Sequence, residues 1–209
     1  MSAVELEVFS DYLCPWCHLA AHRLSVVERE NAGALKLRWR SYLLRPRPEE
    51  GRDLLKFVRY TQGWLRPAAE PDAPRFRVWE SGEGPPSHSI PPHLVARAAR
   101  KLGDAAGRAM HERILRAYFE ESRDVSREPV LRELWADAGL SAEAFDASAD
   151  PALLRETIDD HNAAVELGMT GVPAVRLAGS DAFVMGAQPL EVYRRWVAKL
   201  RAQHDVAEA

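Results

Sequence analysis

The two cysteines of the chain, Cys14 and Cys17, stand three residues apart in the stretch Asp11–Arg23, "DYLCPWCHLAAHR". A Cys-x-x-Cys pair opens four chemistries, and the neighbouring residues weigh them unequally. As a structural disulfide it would close a very short loop, worth at most ~2 kcal/mol. That is little beside the core that 209 residues can bury. As half of a tetrahedral zinc site it lacks the other half. No second Cys pair exists, no His pair follows at finger spacing, and adjacent Cys17 and His18 diverge by about 100° on a helix. Cys14, Cys17 and His18 also match C-x-x-C-H, the pattern for covalent haem. Against haem stand the absence of an export signal at "MSAVELEVF" and a strand-rich surrounding in place of an all-helical wrap. The fourth chemistry, a redox dithiol, accounts for position as well as spacing.

That position follows from the flanking pattern. Val4, Leu6 and Val8 alternate with Glu5 and Glu7, and Leu35, Leu37 and Trp39 alternate with Lys36, Arg38 and Arg40, the period of a strand. Between them Cys17, Ala20, Leu24 and Val27 form one apolar helix stripe, with His18, His22, Ser25 and Arg29 on an adjacent polar one. Strand, helix, strand with a long crossover predicts a parallel βαβ unit. Cys14 then sits at the helix N-terminus, where unpaired N–H groups favour a thiolate, while Cys17 lies on the buried stripe. Pro15 fits the first helical turn.

From Arg45 to Pro92 the segments "RPRPEEG", "RPAAEPDAP" and "GEGPPSHSIPPH" hold most of the 14 prolines around one helix expected near Asp53 to Leu65. Helical stripes follow at Met110, Ile114, Leu115 and Tyr118; at Val130, Leu131, Leu134, Trp135 and Ala138; and at Leu154, Ile158, His161 and Val165. Ser126 is expected to cap the second of these and Gly139 to close it, and Asp150 with Pro151 to start the third. Apolar runs Ala174–Leu177 and Ala182–Met185 meet at "AGSD", a hairpin signal, and Leu190, Tyr193, Val197 and Leu200 mark a final amphipathic helix. The ends therefore read βαβ and ββα around a helical block, an α/β thioredoxin fold with an insertion. The expected division is a discontinuous thioredoxin-like domain, residues 1–47 and 160–209, and an inserted helical domain, residues 48–159.

Thr170-Gly171-Val172-Pro173, just before a strand, reads either as a plain turn or as a cis Val172–Pro173 bond that exposes backbone for β-type pairing with substrate. The net charge of −3 offers no basic field for nucleic acid, and no window approaches 18 consecutive apolar residues, so neither nucleic acid nor membrane is an expected partner. A cytoplasmic protein is expected.

"SDYLCPWC", the helical insert, "LWADAGL", "AAVELGMTGVPAV" and "VMGAQPLEVY" come in an order that resembles the DsbA family of thioredoxin-like oxidoreductases, most closely its FrnE-type cytoplasmic members. The resemblance covers essentially the whole chain. It implies thiol–disulfide exchange, with Cys14 as nucleophile, Cys17 as resolving thiol, Pro173 as the cis-proline beside them, and Pro15, Trp16 and Val172 in contact with substrate. It implies thiol- or disulfide-containing proteins or small molecules as partners, glutathione as a candidate redox partner, and no metal or bound cofactor. Some members carry a buried carboxylate on the first strand behind the dithiol. Here Val8 and the outward-alternating Glu5 and Glu7 offer no clear equivalent, so the proton path of the dithiol is open.

The remaining polar residues have plainer readings. His18 and His22 are expected to be solvated rather than thiolate partners, and His161 to be a hydrogen-bonded core or edge residue. Arg38, Arg40, Arg45 and Arg47 are expected on a solvated face, with a rim for an anionic substrate or glutathione as the alternative. Asp11 reads as a turn residue, with an acid–base partner as the alternative, and Trp64 and Trp79 as core, with the lining of a groove above the dithiol as the alternative. Two competing functions stay open. One is a glutathione-dependent isomerase or transferase, similar to the 2-hydroxychromene-2-carboxylate isomerases and kappa-class transferases, which generally lack the paired cysteines. The other is a chaperone-like binding module.

Overall fold

A computed structural model describes residues 3–207. Strand β1 (Val4–Ser10) leads through helix α1 (Pro15–Glu30) to β2 (Leu35–Ser41), and β1 and β2 pair in parallel with Leu6 opposite Leu37 and Val8 opposite Trp39. Asn31 ends α1, its side chain donating to the Val27 carbonyl at 2.8 Å, and Gly33 at φ 79° turns the chain into β2. Near the other end β3 (Ala174–Leu177) and β4 (Phe183–Met185) form an antiparallel hairpin, and β3 also pairs antiparallel with β1. The order is β2-β1-β3-β4.

The helices between the two halves are α2 (Leu54–Thr61), α3 (Leu65–Ala68), α4 (Ile90–Lys101), α5 (Asp104–Phe119), α6 (Glu128–Asp137) and α7 (Pro151–Glu166). Short 3₁₀ turns at Gln62–Trp64 and Ala142–Ala149 join them, and α8 (Leu190–Ala207) follows the hairpin. Asp53 caps α2 by accepting from the Lys56 amide, and Asp150 caps α7 by accepting from the Ala152 amide. Gly139 at φ 73° closes α6. Ser126 does not cap α6: its hydroxyl donates to Asp124 Oδ1 at 2.6 Å and accepts from the Ser87 amide, tying down the proline-rich loop instead.

Leu6, Val8 and Val175 pack one sheet face against Leu24 and Val27 of α1 and Tyr193 and Val197 of α8. The insert has its own core, in which Phe57, Trp64, Trp79, Tyr118, Phe119 and Trp135 interlock, and Tyr12, Leu13 and Ala21 join the dithiol turn to it. Helix α7 runs unbroken through residue 160 and covers the other sheet face.

That packing turns α7 by one residue from the stripe read in the sequence. Its buried side chains are Leu153, Thr157, Asp160 and Ala164, whereas Leu154, Ile158 and Val165 are exposed. The cause is ionic. Asp160 lies against Arg40 and Arg97 and accepts from the Ser41 amide at 3.0 Å, and a carboxylate holding buried guanidinium groups has to face inward. Glu7 is likewise not outward. It is 5% exposed and ion-paired with Arg176 and Arg40, while Arg38, with Glu5 as its partner, stays at the solvent edge.

Candidate active site

Cys14 occupies the N-cap position of α1 with an extended backbone (φ −96°, ψ 116°), and Pro15 follows as the first helical residue. The amides of Cys17 and His18 both donate to the Cys14 carbonyl, so one tight turn holds the two sulfurs on the same end of the helix. Cys14 is 6% exposed and Cys17 is fully enclosed. Both are free thiols. Burial pushes the Cys17 thiol well up, and neighbouring Cys14 pushes the same way. The Asp11 amide and the Ser10 side chain oppose it through hydrogen bonds to the sulfur.

Across from the dithiol lies the turn before β3. The Val172–Pro173 peptide is cis, and the Cys14 thiol donates to the Val172 carbonyl at 3.4 Å. Trp16 projects into solvent beside them, Pro15 and Val172 are half-buried, and Pro173 is buried. All six residues expected at the site thus fall within one small region. Next to Leu13 a cleft of about 290 Å³ opens between Leu44, Arg45, Arg52, Tyr60 and Tyr118. Arg45 pairs with exposed Glu49, and Arg47 is exposed, as expected of a solvated edge.

Several other residues fall differently. His18 is buried, stacked on Phe119 at 5.0 Å, with Nε2 3.3 Å from the Arg75 carbonyl. Burial brings it down to about 4, so it is a neutral packing residue rather than a solvated one. His22 is exposed. Asp11 is a turn residue, accepting from the Leu13 amide at 2.6 Å, but it also accepts from Leu44 at 2.8 Å and is fully enclosed. His161 accepts from the Leu43 amide at 3.2 Å, and Trp64 and Trp79 are core. Arg23 escaped the sequence reading. It is buried in the middle of α1 and reaches Asp72, Glu70 and the carbonyls of Ala187 and Gln188, which fastens the dithiol helix to both the insert and the segment after β4. Nothing local distinguishes it from the solvated Arg29 one and a half turns on. Among the described residues no group of three or more His, Cys, Asp or Glu side chains is placed to hold a metal, and no helix is long and apolar enough to cross a membrane.

A βαβ and ββα sheet with an inserted helical block, and a dithiol at the first helix facing a Val-Pro turn, define a thioredoxin-like oxidoreductase architecture. The model of the DSBA-like thioredoxin domain matches residues 5–198, and the chain belongs to this family of thiol–disulfide oxidoreductases. The cytosolic disulfide reductase DsbM from Pseudomonas aeruginosa is 28% identical and superposes with a TM-score of 0.75 over 97% of this chain and 100% of that one. The same protein with GSH gives 0.71 at 28% identity over 98% of each chain. A 2-hydroxychromene-2-carboxylate isomerase, 16% identical with a TM-score of 0.64 over 98% and 100%, shares the fold. No curated protein matches the chain in sequence.

Proposed function

We propose that the protein is a cytoplasmic thiol–disulfide oxidoreductase that works through a mixed disulfide on Cys14. The observation that carries this reading is the asymmetry of the dithiol: Cys14 at the helix N-terminus beside the Val172 carbonyl, Cys17 enclosed beneath it. The Cys14 thiolate attacks one sulfur of a substrate disulfide, and the other sulfur leaves as a thiolate that takes a proton from solvent. Cys17, as thiolate, then attacks Cys14 Sγ, breaks the mixed disulfide and releases the second substrate thiol. The dithiol ends as a disulfide and the substrate has gained two electrons; the reverse sequence oxidises a dithiol substrate. Trp16 and the Val172–Pro173 turn form the surface on which substrate backbone lies, with the motif itself supplying the chemistry and no bound cofactor. Arg45, Arg52 and Tyr60 offer a cationic, aromatic cleft beside Leu13 for the carboxylates of a small anionic thiol. Glutathione has that chemistry, and the Pseudomonas neighbour has a solved structure with GSH.

The test is the redox equilibrium of Cys14 and Cys17 in glutathione buffers, read by thiol trapping and mass. An intramolecular disulfide should form with a potential within roughly −270 to −120 mV, the span of thioredoxin-fold oxidoreductases. Cys14→Ser should abolish disulfide reductase and oxidase activity. No intramolecular disulfide across that range, or glutathione retained on one sulfur, would overturn the dithiol mechanism in favour of a glutathione-dependent isomerase or transferase.

A further inference from the structure

Arg23 lies on the dithiol helix, and its side chain is 2% exposed, yet the carboxylates that neutralise it reach water: Glu70 is 37% and Asp72 29% exposed. Nε donates to Asp72 Oδ2 at 2.9 Å, and Nη2 to Asp72 Oδ1 at 2.5 Å and to Glu70 Oε2 at 2.7 Å. Nη1 donates to the carbonyls of Ala187 and Gln188, both at 3.1 Å. All five N–H groups of the guanidinium are thereby used. Two exposed carboxylates would neutralise a guanidinium equally well at the surface, so ion pairing alone gives no reason to bury it. What the buried position adds is the pair of carbonyls.

Those carbonyls belong to the segment that leaves β4. Just before them Gly186, at φ 82°, turns the chain in the left-handed region and donates its amide to the Pro173 carbonyl at 2.8 Å. That is the last backbone bond of the hairpin before the turn that faces the dithiol. Val172 follows, its carbonyl accepting from the Cys14 thiol at 3.4 Å. The contacts close a ring: from Cys14 along α1 to Arg23, across to Ala187 and Gln188, back through Gly186 to Pro173 and Val172, and across to Cys14. The sheet fixes β3 from Ala174 onward, where it pairs with Phe9 of β1. The turn ahead of it has less to hold it. Among the described residues, 170, 171 and 172 make no backbone hydrogen bond besides the one to Cys14. Tyr193 Oη accepts from the Gln188 amide at 3.3 Å and so ties the same segment to α8, whereas Arg23 ties it to the helix that carries the dithiol.

From this ring we infer that Arg23 is a positioning residue for the substrate surface: through Ala187, Gln188 and Gly186 it fixes the Val172–Pro173 turn against Cys14, and so sets the seat that an extended substrate chain takes while its disulfide is attacked. The inference rests on the dithiol reading above. Lysine cannot take over this role, because a compact ammonium has three donors and no planar fork with which to serve two carboxylates and two carbonyls at once. A displacement of about 1 Å between groups that must meet costs up to about 100-fold in rate. That cost falls on a substrate that uses the turn. A peptide disulfide lays its backbone along it, whereas hydroxyethyl disulfide has no backbone to lay and needs only Cys14.

Single-turnover reduction separates the two substrates. Pre-reduced protein is mixed with an excess of a disulfide-bonded peptide or of hydroxyethyl disulfide, quenched with acid, and its remaining thiols are counted by trapping and mass. Arg23→Lys should slow the peptide reaction about 10-fold or more and leave the hydroxyethyl disulfide reaction within about twofold of wild type. Glu70→Gln, which changes the same guanidinium on the side of the insert and leaves the two carbonyls in place, should alter neither. If Arg23→Lys fails to fold, Gly186→Ala reads the ring from its other side. A Cβ there is strained by the positive φ, meets nothing closer than Gln188 Nε2 at 3.8 Å, and shifts the link from Ala187 to Pro173, so it should give the same peptide-selective loss. Equal slowing of both reactions, an unchanged ratio between them, or a Glu70→Gln effect as large as that of Arg23→Lys overturns the inference. So does a wild-type protein that reduces hydroxyethyl disulfide but not the peptide. A wild-type protein that reduces neither fails differently, since it removes the dithiol reading itself.

Discussion

On one face of the sheet Leu6, Val8 and Val175 meet Leu24, Val27, Tyr193 and Val197 in one apolar and aromatic cluster. On the other face Glu7 holds Arg176 and Arg40, Asp160 holds Arg40 and Arg97, and Phe9 lies under the guanidinium groups of Arg40 and Arg176 at 5.8 and 5.7 Å. The same strands build both. The aliphatic face gains stability from each side chain nearly independently, about 1.5–3 kcal/mol apiece. The ionic face does not work that way. Its carboxylates, Glu7 and Asp160, have given up most of their water, and burying them is favourable only while their arginine partners remain.

The sharpest way to break this contrast is Asp160→Ala, which strands Arg40, Arg97 and the Ser41 amide together. It should lower the unfolding free energy by about 3–5 kcal/mol in urea titration. A loss below about 1 kcal/mol would mean the network behaves as a solvated surface. Leu24→Ala on the aliphatic face should cost about 3 kcal/mol, and unlike the first variant its effect should be insensitive to added salt.

Acid tests the buried histidines around the insert. His18, His93 and His111 are held at about 4, 3 and 3, below the unfolded value, so the stability they confer is complete above about pH 6.5 and is lost as pH falls. Asp11, raised to about 6, acts in the opposite sense: ionising it on the way from pH 4 to 6 costs the folded state. Three protons outweigh one, so stability should fall by about 1–3 kcal/mol per pH unit between pH 6.5 and 4. A flat or inverted dependence in urea titrations at pH 6.5 and 5 would show those rings to be hydrated. The smallest effect belongs to the exposed pairs of Arg194 with Glu30 and Glu191. Arg194→Ala should leave the denaturation midpoint unmoved, and a clear shift would extend the ionic network to the surface.

Periodicity made the aliphatic face legible. Cys17, Ala20, Leu24 and Val27 fall on one stripe and are all buried, and the strand alternation placed Leu6 and Val8 beneath them. The same reasoning misjudged the ionic face, because Glu7, Arg40 and Asp160 look like solvated residues until their partners are known. Leu154, Ile158 and Val165 were then the better apolar stripe on α7, and a one-residue rotation passed them by. The site divides in the same manner. Cys14, Cys17 and Pro173 announce themselves by type and spacing. His93 and His111 carried no local signal, since what gives them meaning is Asp11 and Tyr12, 82 and 99 residues away respectively in the chain.

From its sequence alone this protein was determined to be a thioredoxin-like chain with a helical insert and a dithiol at the start of its first helix. Those features rest on local rules: strand and helix periods, proline at a helix start, cysteines one turn apart. Only the tertiary structure decided which charges are buried, that His18 is neutral packing, and that Asp11 and His93, far apart in the chain, face each other at 4.0 Å. Those outcomes depend on desolvation and on partners distant in the chain, and no residue carries its own solvent exposure in its name.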